Sequence, residues 1–133
     1  MNKSFLMLLA FILILMNGCA QKASGDSVER SYMQITQDEA KEMMAKEDDH
    51  VIVDVRRQDE FDAGHIPGAI LIPNESIGTE QPKELPDLDQ IILIYCRSGN
   101  RSKQASEKLA DMGYTNIYEF GGINDWTGEI VTG

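Results

Sequence analysis

The hydrophobic pattern of the chain contains several short, unbroken apolar runs that are separated by longer segments of mixed polarity. Uninterrupted runs of this kind are typical of strands that are buried on both faces of a sheet. The pattern predicts a short edge strand and four buried strands, over residues 32–35, 51–53, 69–72, 91–95 and 117–120. The run over 91–95, Ile-Ile-Leu-Ile-Tyr, is the strongest strand signal in the chain.

Helical signals lie between these strands. Thr36 and Glu39 form a capping-box pattern at the start of the first predicted helix. Two further helices are predicted, one over residues 57–63 and one that ends at the helix stop Gly113, and residues 74–89 form a turn-rich connection. Strands that alternate with helices indicate a parallel sheet covered on both faces. We therefore predict a three-layer α/β domain whose central, mostly parallel sheet has about five strands.

The first part of the chain has a different pattern. After one positive charge, residues 5–16 are apolar throughout, a run too short to span a bilayer comfortably but typical of an export signal. The run leads into Gly18 and Cys19, an order that resembles the lipobox of bacterial lipoproteins. We expect residues 1–18 to be a signal peptide, Cys19 to carry lipid, and residues 19–30 to be a flexible tether. The alternatives are an uncleaved anchor and an ordinary signal with a cysteine nearby.

This interpretation of the N-terminal segment places the domain, residues 31–133, in the periplasm or another extracytoplasmic space, anchored to a bacterial membrane by lipid. The chain has 22 Asp and Glu against 12 Lys and Arg, a net charge of −10. An acidic surface repels nucleic acid and does not attract anionic lipid heads, so the expected membrane link is the lipid itself.

The chain has two cysteines, so lipidation of Cys19 would leave Cys96 as a single free thiol in an exported domain. Such a thiol is unusual, and this raises the expectation that it is reactive. His50 and His65 are far apart in the sequence and, with one available thiol, do not make a metal-ligand set. We predict no metal and no cofactor.

The candidate chemistry lies in the segment Cys-Arg-Ser-Gly-Asn-Arg-Ser that follows the strongest predicted strand. Gly99 and Asn100 tolerate the backbone angles of a tight turn into a helix. Successive N–H groups would then point into the turn at the positive end of the helix and form an anion-binding nest. Arg97 and Arg101 add positive charge. These features favour the thiolate of Cys96, so we expect a nucleophile near neutral pH without a histidine base.

This segment, residues 96–102, resembles the active-site loop of the rhodanese family and matches it residue for residue. The resemblance covers residues 33–126 in order and spacing. Its other motifs are Asp54-Val55-Arg56, Glu60-Phe61, the run Gly64-His65-Ile66-Pro67-Gly68-Ala69, Gly113, Gly121-Gly122 and Trp126. The resemblance implies a rhodanese-like fold and sulfurtransferase activity.

The resemblance also implies a two-step transfer. Cys96 would attack the outer sulfur of a thiosulfate-like donor, become a persulfide, and pass that sulfur to cyanide or a thiol. Backbone N–H groups of residues 97–102 would cradle the sulfur, and Arg97 and Arg101 would orient the anionic donor. The implied substrate-binding residues are Arg97, Ser98, Gly99, Asn100, Arg101 and Ser102. An exported thiol also needs a system that keeps it reduced or persulfidated, so we expect a thiol-redox protein partner.

Polar residues outside the loop are interpreted as supporting structure. Arg56 and Glu60 are predicted to form a structural ion pair, and Asp54, at the end of a strand, to accept hydrogen bonds from nearby turns or a loop arginine. His65 is predicted to be structural, because the implied mechanism needs no base.

Two alternatives share the same cysteine. A persulfide carrier or binding module fed by a protein partner would use Cys96 in the same way. Cysteine phosphatases and arsenate reductases of similar fold use a Cys-x5-Arg loop around an oxyanion. Here four residues separate Cys96 from Arg101, and the smaller cradle suits a sulfur atom better than a phosphate.

Overall fold

The computed structural model describes residues 31–133. The predicted signal peptide, the predicted lipidation site Cys19 and the predicted tether over 19–30 lie outside the described residues. The strands are β1 (Met33–Gln34), β2 (Val51–Asp54), β3 (Ile70–Leu71), β4 (Ile92–Cys96) and β5 (Ile117–Gly122). The α-helices are α1 (Gln37–Met44), α2 (Gln58–Ala63) and α3 (Asn100–Met112), and single 3-10 turns occupy Asn74–Ser76 and Ile123–Asp125.

The strands form one five-stranded sheet in the order β1-β5-β4-β2-β3, and every pairing between neighbours is parallel. The predicted α/β fold is therefore confirmed. β4 lies at the centre of the sheet, where hydrogen bonds to β2 and β5 satisfy both of its edges. This position explains why the sequence of β4 is apolar throughout.

The two outer strands are shorter than their apolar runs predicted. β1 comprises Met33–Gln34, and β3 comprises Ile70–Leu71. Each pairs along one edge only, and the backbone leaves the sheet soon after the pairing begins, at Pro73 in the case of β3. The turn-rich connection contains a single 3-10 turn at its start, Asn74–Ser76.

The helix boundaries follow local signals. The side chain of Thr36 accepts a hydrogen bond from the N–H of Glu39 at 3.0 Å, and the Glu39 carboxylate accepts one from the N–H of Thr36 at 2.9 Å. This is the predicted capping box, and it satisfies N–H groups that the first turn leaves unpaired. α3 ends at Gly113, whose φ of +112° places it in the left-handed region that a side chain disfavours.

Alternate residues of β4 face two separate hydrophobic layers. Ile92, Ile94 and Cys96 join the layer under α3, and Leu93 and Tyr95 join the layer under α1 and α2. All five are buried, and burial of each large apolar side chain contributes about 1.5–3 kcal/mol. The alternation fixes the side of the sheet on which Cys96 lies, which is the α3 side.

The end of the chain packs back onto the domain. The backbone of Val131 forms an antiparallel bridge with His65, with N···O distances of 2.8 and 2.9 Å. Within residues 31–133, none of the helices has the length and apolar character needed to cross a membrane.

Candidate active site

Cys96 is the last residue of the central strand, at the carboxyl edge of the sheet where ligands bind in open α/β folds. The pairing of β4 with β5 shifts register between Ile94 and Cys96, so that Cys96 lies opposite Gly122. Three residues later, Gly99 takes a φ of +104° and α3 begins at Asn100. The chain thus turns from strand to helix around the sulfur atom.

The sulfur of Cys96 lies under this turn and is fully buried. The backbone N–H of Gly99 donates to Cys96 Sγ at 3.0 Å, and the thiol lies 3.4 Å from Ser102 Oγ, to which it can donate. A backbone N–H that points at sulfur stabilises negative charge there. The turn therefore supplies polar contacts to an otherwise apolar surrounding.

Gly121 and Gly122 form the surface against which the turn packs. A Cβ atom on Gly122 would lie 1.9 Å from the carbonyl oxygen of Arg97, so this position has no room for a side chain. The same carbonyl accepts a hydrogen bond from the N–H of Asn124 at 3.1 Å. Gly121 has a φ of +93°, in the left-handed region. These contacts give a physical reason for a Gly-Gly pair at the end of β5.

The second arginine of the loop is held by a carboxylate. Arg101 Nη1 and Nη2 donate to the two oxygens of Glu60 at 2.8 and 3.0 Å. This hydrogen bonding lowers the pKa of Glu60 to about 2 and raises the pKa of Arg101. The predicted pair between Arg56 and Glu60 is wrong. α2 turns Glu60 toward the loop, and Arg56 binds Asp54 instead.

Asp54 and Arg56 form a buried brace behind the loop. The Arg56 side chain donates to both Asp54 oxygens at 2.7–3.1 Å, and its Nη2 also donates to the carbonyl oxygen of Gly64 at 2.7 Å. The hydroxyl of Tyr95 accepts the N–H of Ile66 at 3.1 Å. Burial, followed by a hydrogen bond to Asp54, raises the pKa of Tyr95. The brace ties the ends of β2 and β4 to the turn before β3.

The remaining loop residues divide between rim and interior. The side chains of Arg97, Ser98 and Asn100 are exposed, and Gly99 and Ser102 are buried. Since Arg101 is bound to Glu60, Arg97 is the loop arginine without an ion pair among the described contacts of residues 31–133.

His65 is engaged in structural contacts. Its Nδ1 lies 2.9 Å from the carbonyl oxygen of Phe61, and its ring stacks on the Phe61 ring with centroids 3.7 Å apart. Its backbone bridges to Val131. These contacts agree with a structural role.

Glu119 is a buried polar residue at the site that the sequence reading missed. It lies on β5 with 2% of its surface exposed, and its Oε2 accepts the Ser102 hydroxyl at 2.5 Å and the Gly121 N–H at 3.0 Å. The available signal was a charged residue inside an apolar strand, Ile-Tyr-Glu-Phe. A charged side chain within such a strand must find hydrogen-bond partners if the strand is buried on both faces.

A cavity of about 630 Å³ lies away from this loop, with Met44, Ile66 and Trp126 among its lining residues. It includes no residue of 96–102. The loop around Cys96 therefore lies at the carboxyl edge of the sheet, outside that cavity.

Fold and site together define a three-layer α/β domain with a cysteine at the turn from the central strand into a helix. A family model described as the rhodanese-like domain matches residues 36–129. The chain belongs to this rhodanese-like domain family.

Individual relatives agree with this family. Thiosulfate sulfurtransferase PspE of Escherichia coli is 36% identical over 73 residues, which are 55% of this chain and 70% of that protein. The adenylyltransferase and sulfurtransferase UBA4 of Meyerozyma guilliermondii is 36% identical over 90 residues, but the chain spans 21% of its length. A solved structure described as a rhodanese with anions from E. coli superimposes with a TM-score of 0.58 at 33% identity, covering 63% of this chain and 99% of that one.

Proposed function

We propose that this protein is a sulfurtransferase that carries sulfane sulfur as a persulfide on Cys96. The observation that carries the proposal is the contact between the Gly99 N–H and Cys96 Sγ inside the strand-to-helix turn. A backbone donor at this position stabilises a thiolate before reaction and an anionic persulfide after it. The loop thus supports both forms of the sulfur.

The proposed donor is a thiosulfate-like anion and the proposed acceptor is cyanide or a thiol. The Cys96 thiolate attacks the outer sulfur, a new S–S bond forms, and the donor's own S–S bond breaks so that sulfite leaves with the electron pair. The acceptor then attacks the outer sulfur of the persulfide and regenerates the thiolate. Similarity to a relative named thiosulfate sulfurtransferase supports this choice of donor.

Residues 97–102 are proposed to bind the transferred sulfur and its donor. Arg97 is exposed at the rim of the turn, where a cation can meet an incoming anion. Arg101 is committed to Glu60, so its proposed contribution is to hold the turn in shape. Asp54 and Arg56 are proposed to support the loop from behind.

A persulfide carrier fed by a protein partner is a second candidate. The pairing of Arg101 with Glu60 favours it, because this pairing leaves less positive charge for a small dianion. The net charge of −10 points the same way, since it repels small anions and suits a basic or thiol-redox partner.

Mass spectrometry of the intact full chain in mild detergent tests the proposal. Incubation with thiosulfate should add the mass of one sulfur atom, and cyanide should remove it and release thiocyanate. The gain should be absent in Cys96→Ala and retained in Cys19→Ala. Absence of the gain in the wild type would rule out thiosulfate as donor and favour the carrier.

We also propose that the domain is exported and anchored through lipid on Cys19. The support is the order of positive charge, apolar run, Gly18 and Cys19 in the sequence. Labelling of bacterial cells with a fatty acid should mark the wild type and Cys96→Ala but not Cys19→Ala. A mature chain that still carries residues 1–18 would contradict the anchor.

A further inference from the structure

A carboxylate is buried beside the proposed sulfur carrier. Glu119 lies on β5 on the α3 side of the sheet, with 2% of its surface exposed. Its Oε2 accepts hydrogen bonds from Ser102 Oγ and the Gly121 N–H. Within residues 31–133 it takes part in none of the ion pairs. Both of these donors to the Glu119 carboxylate are uncharged groups.

One hydroxyl group joins this carboxylate to the thiol. Ser102 Oγ lies 2.5 Å from Glu119 Oε2 and 3.4 Å from Cys96 Sγ. A serine hydroxyl has one proton to donate and lone pairs that accept. When Ser102 donates to the Glu119 carboxylate, its lone pair faces the Cys96 thiol and accepts the S–H.

The opposite arrangement uses the same three groups. A protonated Glu119 donates to Ser102 Oγ, and the Ser102 hydroxyl then donates to a Cys96 thiolate. Both arrangements hold the same two protons and one negative charge, so they interconvert without exchange with solvent.

We propose that Glu119 is a positioning residue that shares one proton with Cys96 through Ser102. This inference rests on the proposed function of Cys96 as the sulfur carrier. The proton of Cys96 moves to Ser102 Oγ as the Ser102 proton moves to Glu119 Oε2, and no electrons are transferred. The thiolate then attacks the donor as described above, and the proton stays on Glu119 until the thiolate returns.

Other charged and titratable groups lie around Glu119 and Cys96, but none of those described within residues 31–133 takes the place of Glu119 in the contact with Ser102. Tyr32, just before β1, interacts electrostatically with Glu119 and with Glu107, an exposed residue on α3. Burial raises the pKa of Tyr32, and Glu107 and Glu119 add to the shift. On the loop side, Arg101 interacts electrostatically with Cys96, but its guanidinium is hydrogen-bonded to Glu60. From α1, the neutral amide of Gln37 donates to the carbonyls of Phe120 and Gly122.

The rate of Cys96 alkylation by iodoacetamide, measured against pH, tests the shared proton. The full chain in mild detergent is used, and the reaction is followed by mass spectrometry on the peptide that contains Cys96, so that Cys19 does not interfere. The wild type should show two rises separated by an interval in which the rate varies less than about twofold. Over that interval the fraction of thiolate is set by the internal transfer and not by pH.

Glu119→Gln keeps the size and hydrogen-bonding capacity of the side chain but cannot accept the proton. Its alkylation rate should show one rise, about tenfold for each pH unit below the midpoint. Glu107→Gln is the control. It removes a carboxylate on the same helix as Ser102 that makes no described contact with Ser102, and it should keep the flat interval. A flat interval that persists in Glu119→Gln would overturn the proposal.

The wild-type profile tests the proposal by itself, because a single rise there overturns it even where Glu119→Gln does not fold. Alkylation requires no sulfur donor. A single rise together with normal persulfide formation therefore rejects the shared proton alone. A flat interval without persulfide formation rejects the proposed sulfur transfer and leaves the shared proton in place.

Discussion

Arg101 Nη1 lies 2.8 Å from Glu60 Oε1, and this contact joins the loop around Cys96 to the helix α2. The two residues are 41 positions apart in the chain. The pair restrains the first turn of α3, where the backbone must stay bent for Gly99 to reach the sulfur. The guanidinium that the sequence analysis assigned to donor binding is therefore paired with a carboxylate in this structure.

The Glu60–Arg101 pair should make stability depend on acid. The pKa of Glu60 is lowered from 4.5 to about 2, so the pair contributes its full stability above pH 4.5 and loses it as the pH falls toward about 2. Glu60→Gln should lower stability at neutral pH by about 1–3 kcal/mol and flatten the loss in that acid window. Thermal unfolding midpoints at a series of pH values measure this. Glu42→Gln, on the exposed face of α1, is the control and should follow the wild type.

Removal of Asp54 should be strongly destabilising. Asp54→Ala would leave the buried Arg56 guanidinium without its carboxylate, at a cost of about 3–5 kcal/mol. Urea unfolding measures the difference. Asp59→Ala breaks an exposed pair with Arg57, which solvent screens, and should cost far less. Equal losses in the two variants would show that the brace is not important for stability.

Gly122→Ala should disable the loop. The added Cβ would meet the Arg97 carbonyl, so the turn around Cys96 must move. A displacement of this kind should slow persulfide formation by about 100-fold. Gly78→Ala is the matched control, because a Cβ there meets nothing within 4 Å. Rates of sulfur gain by mass spectrometry compare the two, and equal rates would show that the loop tolerates the shift.

Two serines on one face of α3 should respond to truncation in opposite ways. The Ser106 hydroxyl is buried without a hydrogen-bond partner among residues 31–133, so Ser106→Ala should raise stability by about 1 kcal/mol. The Ser102 hydroxyl is bonded to Glu119, and Ser102→Ala should lower stability by at least about 1 kcal/mol. Urea unfolding of both variants checks the difference. A loss of stability in Ser106→Ala would mean that its hydroxyl has a partner after all.

Much of the fold followed from local pattern. The apolar runs located all five strands, and Thr36, Glu39 and Gly113 marked helix boundaries correctly, because caps and periodicity depend on neighbours in the chain. The loop could be predicted from the sequence for the same reason, because Cys96, Gly99 and Ser102 are close together in the chain. Strand order and the short lengths of β1 and β3 depend on which edges are paired, and no single segment carries that information.

The sequence by itself determined the α/β alternation, the position of Cys96 at a strand end and the composition of its loop. Only the tertiary structure decided which charges meet there. Glu60 binds Arg101 across 41 residues, and Glu119 reaches Ser102 across 17, because β5 pairs with β4 beside the loop. Ion pairs and buried hydrogen bonds need both partners within about 3 Å, and folding alone brings together residues that are distant in the chain.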